Sequence, residues 1–405
     1  MRSDLAERVF AYVGTPDSGI TDIEDALWRR QPQLRAQGLL LPGPRALHRA
    51  GLHAVVGKVP PALPATVDPA TAWHRMLAAG REWPGSVLLA GEALGVARRE
   101  QAASVAMAFE GTPLSVVIST RSVPDLAVRA WQRVLKAGGA PTYDGYLRAL
   151  RANLTPRSLA FWAAHDPLDI ARRWGARVRP GDVHVVVSPP GSDDRDTAWP
   201  RLSSVLGVDV ALPVLDPSPW GLLLGPVEAE LLRRVHTAGD YRFRDGDRHR
   251  WTRRLLAVGL LASRPAGAIA LPPEHREWLD QRTDALLRDI RAGGYRLVGD
   301  PADLLVPPDL PSARLVADVT DEEIAELARW TIDRLQETWV HLETHRLPPE
   351  VADTEGVEGI LDMLEHIRAA ESDLLPRPAS HRGDSPRLRA LLQVLRARAS
   401  GAGSG

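Results

Sequence analysis

Near the start of the chain a short apolar run meets a loop rich in glycine and hydroxyl residues: Val9-Phe-Ala-Tyr-Val-Gly14-Thr15-Pro16-Asp17-Ser18-Gly19-Ile20-Thr21. The run predicts a strand, and the pattern continuing through Leu27 and Trp28 predicts a helix. A strand–loop–helix of this kind can cradle a phosphate or sulfate ester. Glycines let the backbone approach the anion, and N–H groups at the helix start point at it. The spacing of Gly14 and Gly19 is that of a nucleotide-triphosphatase loop, and Thr21 fits its last position, but Ile20 stands where the lysine belongs. Asp17 adds a negative charge where an anion would sit. Three further groups have chemistry to offer. Arg121 follows an apolar run and precedes a proline-containing turn, so it can hold an anion. Glu92, just after another apolar run, is a candidate general base. His48 and His53 flank Arg49 in a stretch read as a loop, where His48 could face an acceptor.

These groups need elements to position them. Four short β-rich runs recur between helical patterns: Val9–Val13, Ser86–Ala90, Leu114–Thr120 and Val183–Ser188. Each is mostly apolar and bounded by turn residues, as buried parallel strands are. Helical patterns over Ala70–Arg81, Arg99–Glu110, Asp169–Arg177 and Ala198–Leu206 separate or follow them. The alternation predicts a doubly wound α/β sheet, in which ligands bind beyond the carboxyl ends of the strands. Gly14, Glu92 and Arg121 fall at three such ends. After about residue 220 the strands stop. Gly225–Ala238, Arg250–Leu261 and Glu274–Ala292 read as helices, and Tyr295–Gly299 as a short terminal strand.

Composition narrows the function classes. With 405 residues, 44% hydrophobic and 25% charged, the chain is an ordinary globular one. Its net charge of −1 gives no field that favours nucleic acid or membrane. It has no cysteine, which excludes disulfides, thiolate metal sites and cysteine nucleophiles. No run of 18 apolar residues predicts a membrane span, and the charged N-terminus lacks a signal-peptide core, so a cytoplasmic location is expected. No set of His, Asp and Glu shows metal spacing, and no G-x-S-x-G elbow supports a serine hydrolase.

The first loop resembles the phosphosulfate loop of sulfotransferases, which read Pro-Lys-Ser-Gly-Thr-Thr. Pro16, Ser18, Gly19 and Thr21 match, while Asp17 and Ile20 depart. The segment Val116-Val-Ile-Ser-Thr-Arg121-Ser-Val-Pro124-Asp-Leu is similar to the family's 3′-phosphate segment. Arg121 matches the family arginine, and Arg129 stands where the family has a serine. Leu27-Trp28-Arg29, the run Leu34–Gly43, Glu92, Ala130-Trp131-Gln132 with Lys136, Arg173-Trp174 and Gly294–Asp300 add to the likeness. The chain thus resembles sulfotransferase-family proteins common in actinobacteria, over roughly residues 8–305.

The resemblance implies a P-loop-type α/β/α sandwich with a mostly parallel sheet of four or five strands. It implies one domain over residues 1–305, with the sheet core at about 8–215 and a helical half at about 220–300. It also implies transfer of a sulfuryl group from 3′-phosphoadenosine 5′-phosphosulfate (PAPS) to a hydroxyl of a small molecule, glycan or lipid, without a metal. Thr15, Pro16, Asp17, Ser18, Gly19, Ile20 and Thr21 would surround the 5′-phosphosulfate, Arg121 and Arg129 would hold the 3′-phosphate, and Glu92 would be the base. Two readings stay open. One is an active sulfotransferase. The other is a degenerate one that has lost PAPS and serves binding or scaffolding. A P-loop kinase is a weaker third, since the absent lysine argues against it equally.

Beyond the resemblance, residues 306–318 read as a linker and 319–399 as a helical extension, followed by a flexible tail at 400–405. Thr320-Asp-Glu-Glu starts a helix with acids in its first turn. Its stripe Ile324, Leu327, Ala328, Thr331, Leu335 either packs on the body of the protein or receives a protein partner. Further helices are expected over Gly356–Ser372 and Ser385–Ala399.

Overall fold

The computed structural model describes residues 6–58, 64, 66–189, 194–213, 221–239, 248–265, 267–305, 312–343 and 355–374. The chain forms two compact units that interleave along the sequence. The first comprises Met1–Ala127, Ala149–Asp216 and Glu274–Pro307, and the second Val128–Arg148, Pro217–Pro273 and Pro308–Gly405. The sequence reading drew one division instead, at the linker 306–318.

The first unit is built on six strands: β1 (Arg8–Gly14), β2 (Leu39–Leu40), β3 (Ser86–Ala90), β4 (Leu114–Thr120), β5 (Val183–Val187) and β6 (Arg296–Val298). They lie in the order β2-β3-β1-β4-β5-β6, and every neighbouring pair is parallel. The predicted class is therefore observed, with six strands rather than four or five and, among the described residues, no antiparallel member. The addition is β2, whose two residues are too few to show any periodicity.

Strand alternation sends successive side chains to opposite faces. Val9, Ala11 and Val13 join a core with residues of α3 (Arg45–Val55), α4 (Pro69–Arg81), α5 (Arg99–Ala108) and α9 (Pro167–Trp174). Phe10 and Tyr12 join another with α1 (Ile20–Arg29), α2 (Gln31–Ala36) and α10 (Asp194–Leu206). The sheet is thus covered on both faces, which is why its strands read as unbroken apolar runs. Gly207, just past α10, has φ 70°, the left-handed geometry of a helix C-cap.

Two helices, α6 (Val123–Lys136) and α7 (Tyr143–Ala152), run across the division between the units, while α8 (Pro156–His165) belongs to the first. In the second unit lie α11 (Pro226–Ala238), a π-helix (Arg248–Leu260), and two C-terminal helices; α12 (Arg276–Ala292) belongs to the first. The C-terminal pair are α13 (Asp321–Glu343) and α14 (Gly356–Leu374). A reciprocal capping box opens α13: Thr320 N–H donates to Glu323 Oε2 at 2.8 Å, and Glu323 N–H donates to Thr320 Oγ1 at 3.3 Å. The stripe Ile324, Leu327, Ala328, Thr331, Leu335 is buried, and α13 packs on α11 and α14. This face is core of the second unit, not an open partner surface. The expected helix Ser385–Ala399 and the tail 400–405 lie outside the described residues. Among the described residues no helix is long and apolar enough to cross a membrane.

Candidate functional site

In strand order the chain first runs from β1 to one side and then, through β4, to the other. The loop after β1 therefore sits at the topological switch point, where open parallel sheets bind ligands. Gly14 pairs with Ser119 at the end of β4. A Cβ on Gly14 would lie 2.3 Å from Ile20 Cδ1, so the glycine exists to let α1 close on the strand. Ile20 itself is a core residue of the α1 face, not a loop ligand. Gly19, the N-cap of α1, has φ 86° and accepts the Ile23 N–H at 3.2 Å.

The loop hydroxyls turn inward. Thr15 donates to the Ser119 carbonyl through its N–H at 3.0 Å and its Oγ1 at 3.1 Å. Ser18 Oγ donates to the Thr15 carbonyl at 2.6 Å and lies 3.0 Å from Ser119 Oγ. Tyr12 donates its hydroxyl to Ser119 Oγ at 3.3 Å. All four residues are buried. This network fastens the β1 loop to the end of β4 and uses the hydroxyls of two residues expected around a phosphosulfate, Thr15 and Ser18. Pro16 is buried with them, and Thr21 is exposed on the first turn of α1.

Asp17 has φ 64°, a left-handed conformation that few non-glycine residues adopt. Its Oδ2 lies 3.4 Å from Nε2 of His165, the last residue of α8. The other ring nitrogen, Nδ1, is 2.9 Å from the Phe161 carbonyl, and the imidazole stacks on the Phe161 ring at 4.3 Å. Arg121, at the end of β4, is 1% exposed. Its Nη1 donates to Asp125 at 3.1 Å and to the Pro189 carbonyl at 3.4 Å, so that nitrogen is already engaged. Arg129 lies further along α6, half-buried, in the second unit. Lys136, also in that unit, donates to the Leu222 carbonyl, and Gln132 exchanges two hydrogen bonds with the Leu224 backbone.

On the β3 side, Glu92 is exposed as the first residue of a 3₁₀ turn, Glu92–Val96. His48 corrects the sequence reading: it is not in a loop but inside α3, and it is buried. Its Nδ1 donates to the Pro42 carbonyl at 3.2 Å, and its Nε2 accepts the Ala90 N–H at 3.2 Å. That arrangement requires a neutral ring, and burial pushes its pKa down to about 4. With both nitrogens on the backbone, His48 clamps α3 to the end of β3 and has no nitrogen for a substrate proton.

Glu24, which sequence reasoning missed, lies in α1 near this clamp. Burial pushes its carboxyl up to about 7; Arg45 and Arg49 pull it down, and Asp25 and Glu92 push it up. Asp25 forms an ion pair with Arg45, which ties α1 to α3. The only sequence signal for Glu24 was its place four residues before the half-buried Trp28, whose indole meets the His48 ring edge-on at 5.2 Å. No sequence signal marked His165 or Ser119.

Fold and site together define a parallel α/β protein with a glycine-containing strand–loop–helix at the switch point of its sheet. No protein-family model matches the chain, and no curated protein or solved structure does either.

Proposed function

We propose that the protein is a sulfotransferase-like α/β protein that binds a ligand without transferring a sulfuryl group from PAPS. The observation that carries this reading is the pair Asp17–His165, set where a phosphosulfate loop has its lysine. The leaving phosphate of sulfuryl transfer gains negative charge and needs a cation or preorganised donors. A carboxylate about 4 Å from that charge costs on the order of 4 kcal/mol at an effective dielectric near 20. Three of the side chains that would compensate are already used. Ser18 and Thr15 spend their hydroxyls on the β1–β4 junction, and Arg121 is engaged by Asp125. The residues present do not fit PAPS.

The active-sulfotransferase reading keeps one supporting observation. Glu24 and Glu92 place two interacting carboxyls beside α1, one of them poised near neutrality, as a general base should be. Calorimetric titration with adenosine 3′,5′-bisphosphate decides between the two. The expected result is no binding by the wild-type protein, with Asp17→Lys binding more tightly than wild type. Micromolar binding by the wild-type protein would overturn the proposal and direct attention to Glu24 and Glu92 as candidate bases.

A further inference from the structure

His165 is 4% exposed, and both of its ring nitrogens face hydrogen-bond acceptors: the Phe161 carbonyl at 2.9 Å and the Asp17 carboxylate at 3.4 Å. The Asp17 carboxylate only accepts, so the nitrogen that faces it, Nε2, carries the N–H. A buried polar group must find a partner, and Asp17 is the carboxylate placed to accept from Nε2. The other acids next to this helix end are committed elsewhere: Asp166 to Arg282, and Asp169 to Arg173. The backbone at Asp17 points the same way. Its left-handed φ of 64° is unfavourable for a residue with a Cβ, and such conformations persist where the surrounding structure demands them. Here the demand is the turn between β1 and α1, fixed by the Ser18–Thr15 and Thr15–Ser119 bonds on either side.

We infer that Asp17 is a tethered acceptor: it occupies the Nε2–H of His165 and so closes an anion site at the end of β1 that would otherwise take a phosphate or sulfate ester. The loop has not merely lost a lysine. A donor N–H has arrived from α8, 148 positions away in sequence, and the residue at the lysine position occupies it. A tetrahedral oxyanion would compete for the same N–H. The contact is autoinhibitory. The inference rests on the reading that the wild-type protein does not take PAPS, and it supplies the reason.

The test removes the carboxylate while keeping the backbone. Asn tolerates the left-handed region better than most residues, and Gly tolerates it fully. Asp17→Asn and Asp17→Gly are therefore compared with the wild-type protein by calorimetry, with adenosine 3′,5′-bisphosphate and separately inorganic sulfate as probes. Thermal melts confirm that each variant is folded. Both variants should bind adenosine 3′,5′-bisphosphate at least tenfold more tightly than the wild-type protein. Adding His165→Gln to Asp17→Asn should abolish that gain. A gain with sulfate as well identifies the group recognised as the oxyanion; a gain with the bisphosphate alone identifies it as the phosphate ester. The inference fails if neither variant binds more tightly, or if the gain survives loss of His165. These results are separate from the preceding test, since tight binding by the wild-type protein sinks the functional proposal itself.

Discussion

Replacing Glu24 by Gln should stabilise the protein, and only above a definite pH. The carboxyl sits in α1 with its pKa raised from 4.5 to about 7, first by burial, with Arg45 and Arg49 opposing the shift and Asp25 and Glu92 adding to it. Between these two pH values the native state holds a proton on Glu24 that the unfolded chain has released. Stability then falls as pH rises through the window, because the unfolded state binds fewer protons. At about 1.36 kcal/mol per pH unit, the full shift corresponds to about 3 kcal/mol above pH 7. The residue is only half-buried, which brings the expected gain from Glu24→Gln to about 1–2 kcal/mol. At pH 4 the protonated acid and the amide are near-isosteres, and the variant should match the wild-type protein. Urea melts of both proteins at pH 4, 6 and 8 measure this. The expected pattern is parity at pH 4 and a higher midpoint for the variant at pH 8. A gain of equal size at every pH, or a variant less stable at pH 8, refutes the argument that burial dominates at this carboxyl.

His48 should produce the opposite limb. Its pKa is lowered from 6.5 to about 4, so the unfolded chain binds a proton that the native state refuses, and stability is lost as pH falls through that window. His48→Gln should flatten this acid limb in urea melts while costing about 1–3 kcal/mol at pH 7, because the Pro42 and Ala90 backbone bonds are lost or strained. Gly14→Ala forces a Cβ to 2.3–2.7 Å from the Ile20 side chain and should cost at least about 1–3 kcal/mol. Adding Ile20→Ala should relieve part of that cost, which a double-mutant thermal-melt cycle reads as a coupling between the two sites.

Much of the architecture is written locally. The runs around Val9–Val13, Leu114–Thr120 and Val183–Val187 became parallel strands because β-branched apolar residues bounded by turns have few other ways to bury both faces. The strand–loop–helix at Gly14–Thr21 was legible from two glycines and the helical pattern after them, and Thr320 with Glu323 marked the start of α13. Each of these depends on neighbours within a few positions. The stripe from Ile324 to Leu335 was legible as apolar, but only packing against α11 and α14 made it core.

The sequence by itself determined the fold class and placed a candidate loop at the end of β1. Only the tertiary structure decided what that loop's polar groups do. Ser18 meets Ser119 across 101 positions, Asp17 meets His165 across 148, and Ala90 reaches His48 across 42. Apolar periodicity records which face of an element is buried, because burial is non-directional and needs no particular partner. A hydrogen bond or an ion pair is directional and short-ranged. Its partner is named only when the folded chain brings two distant residues together.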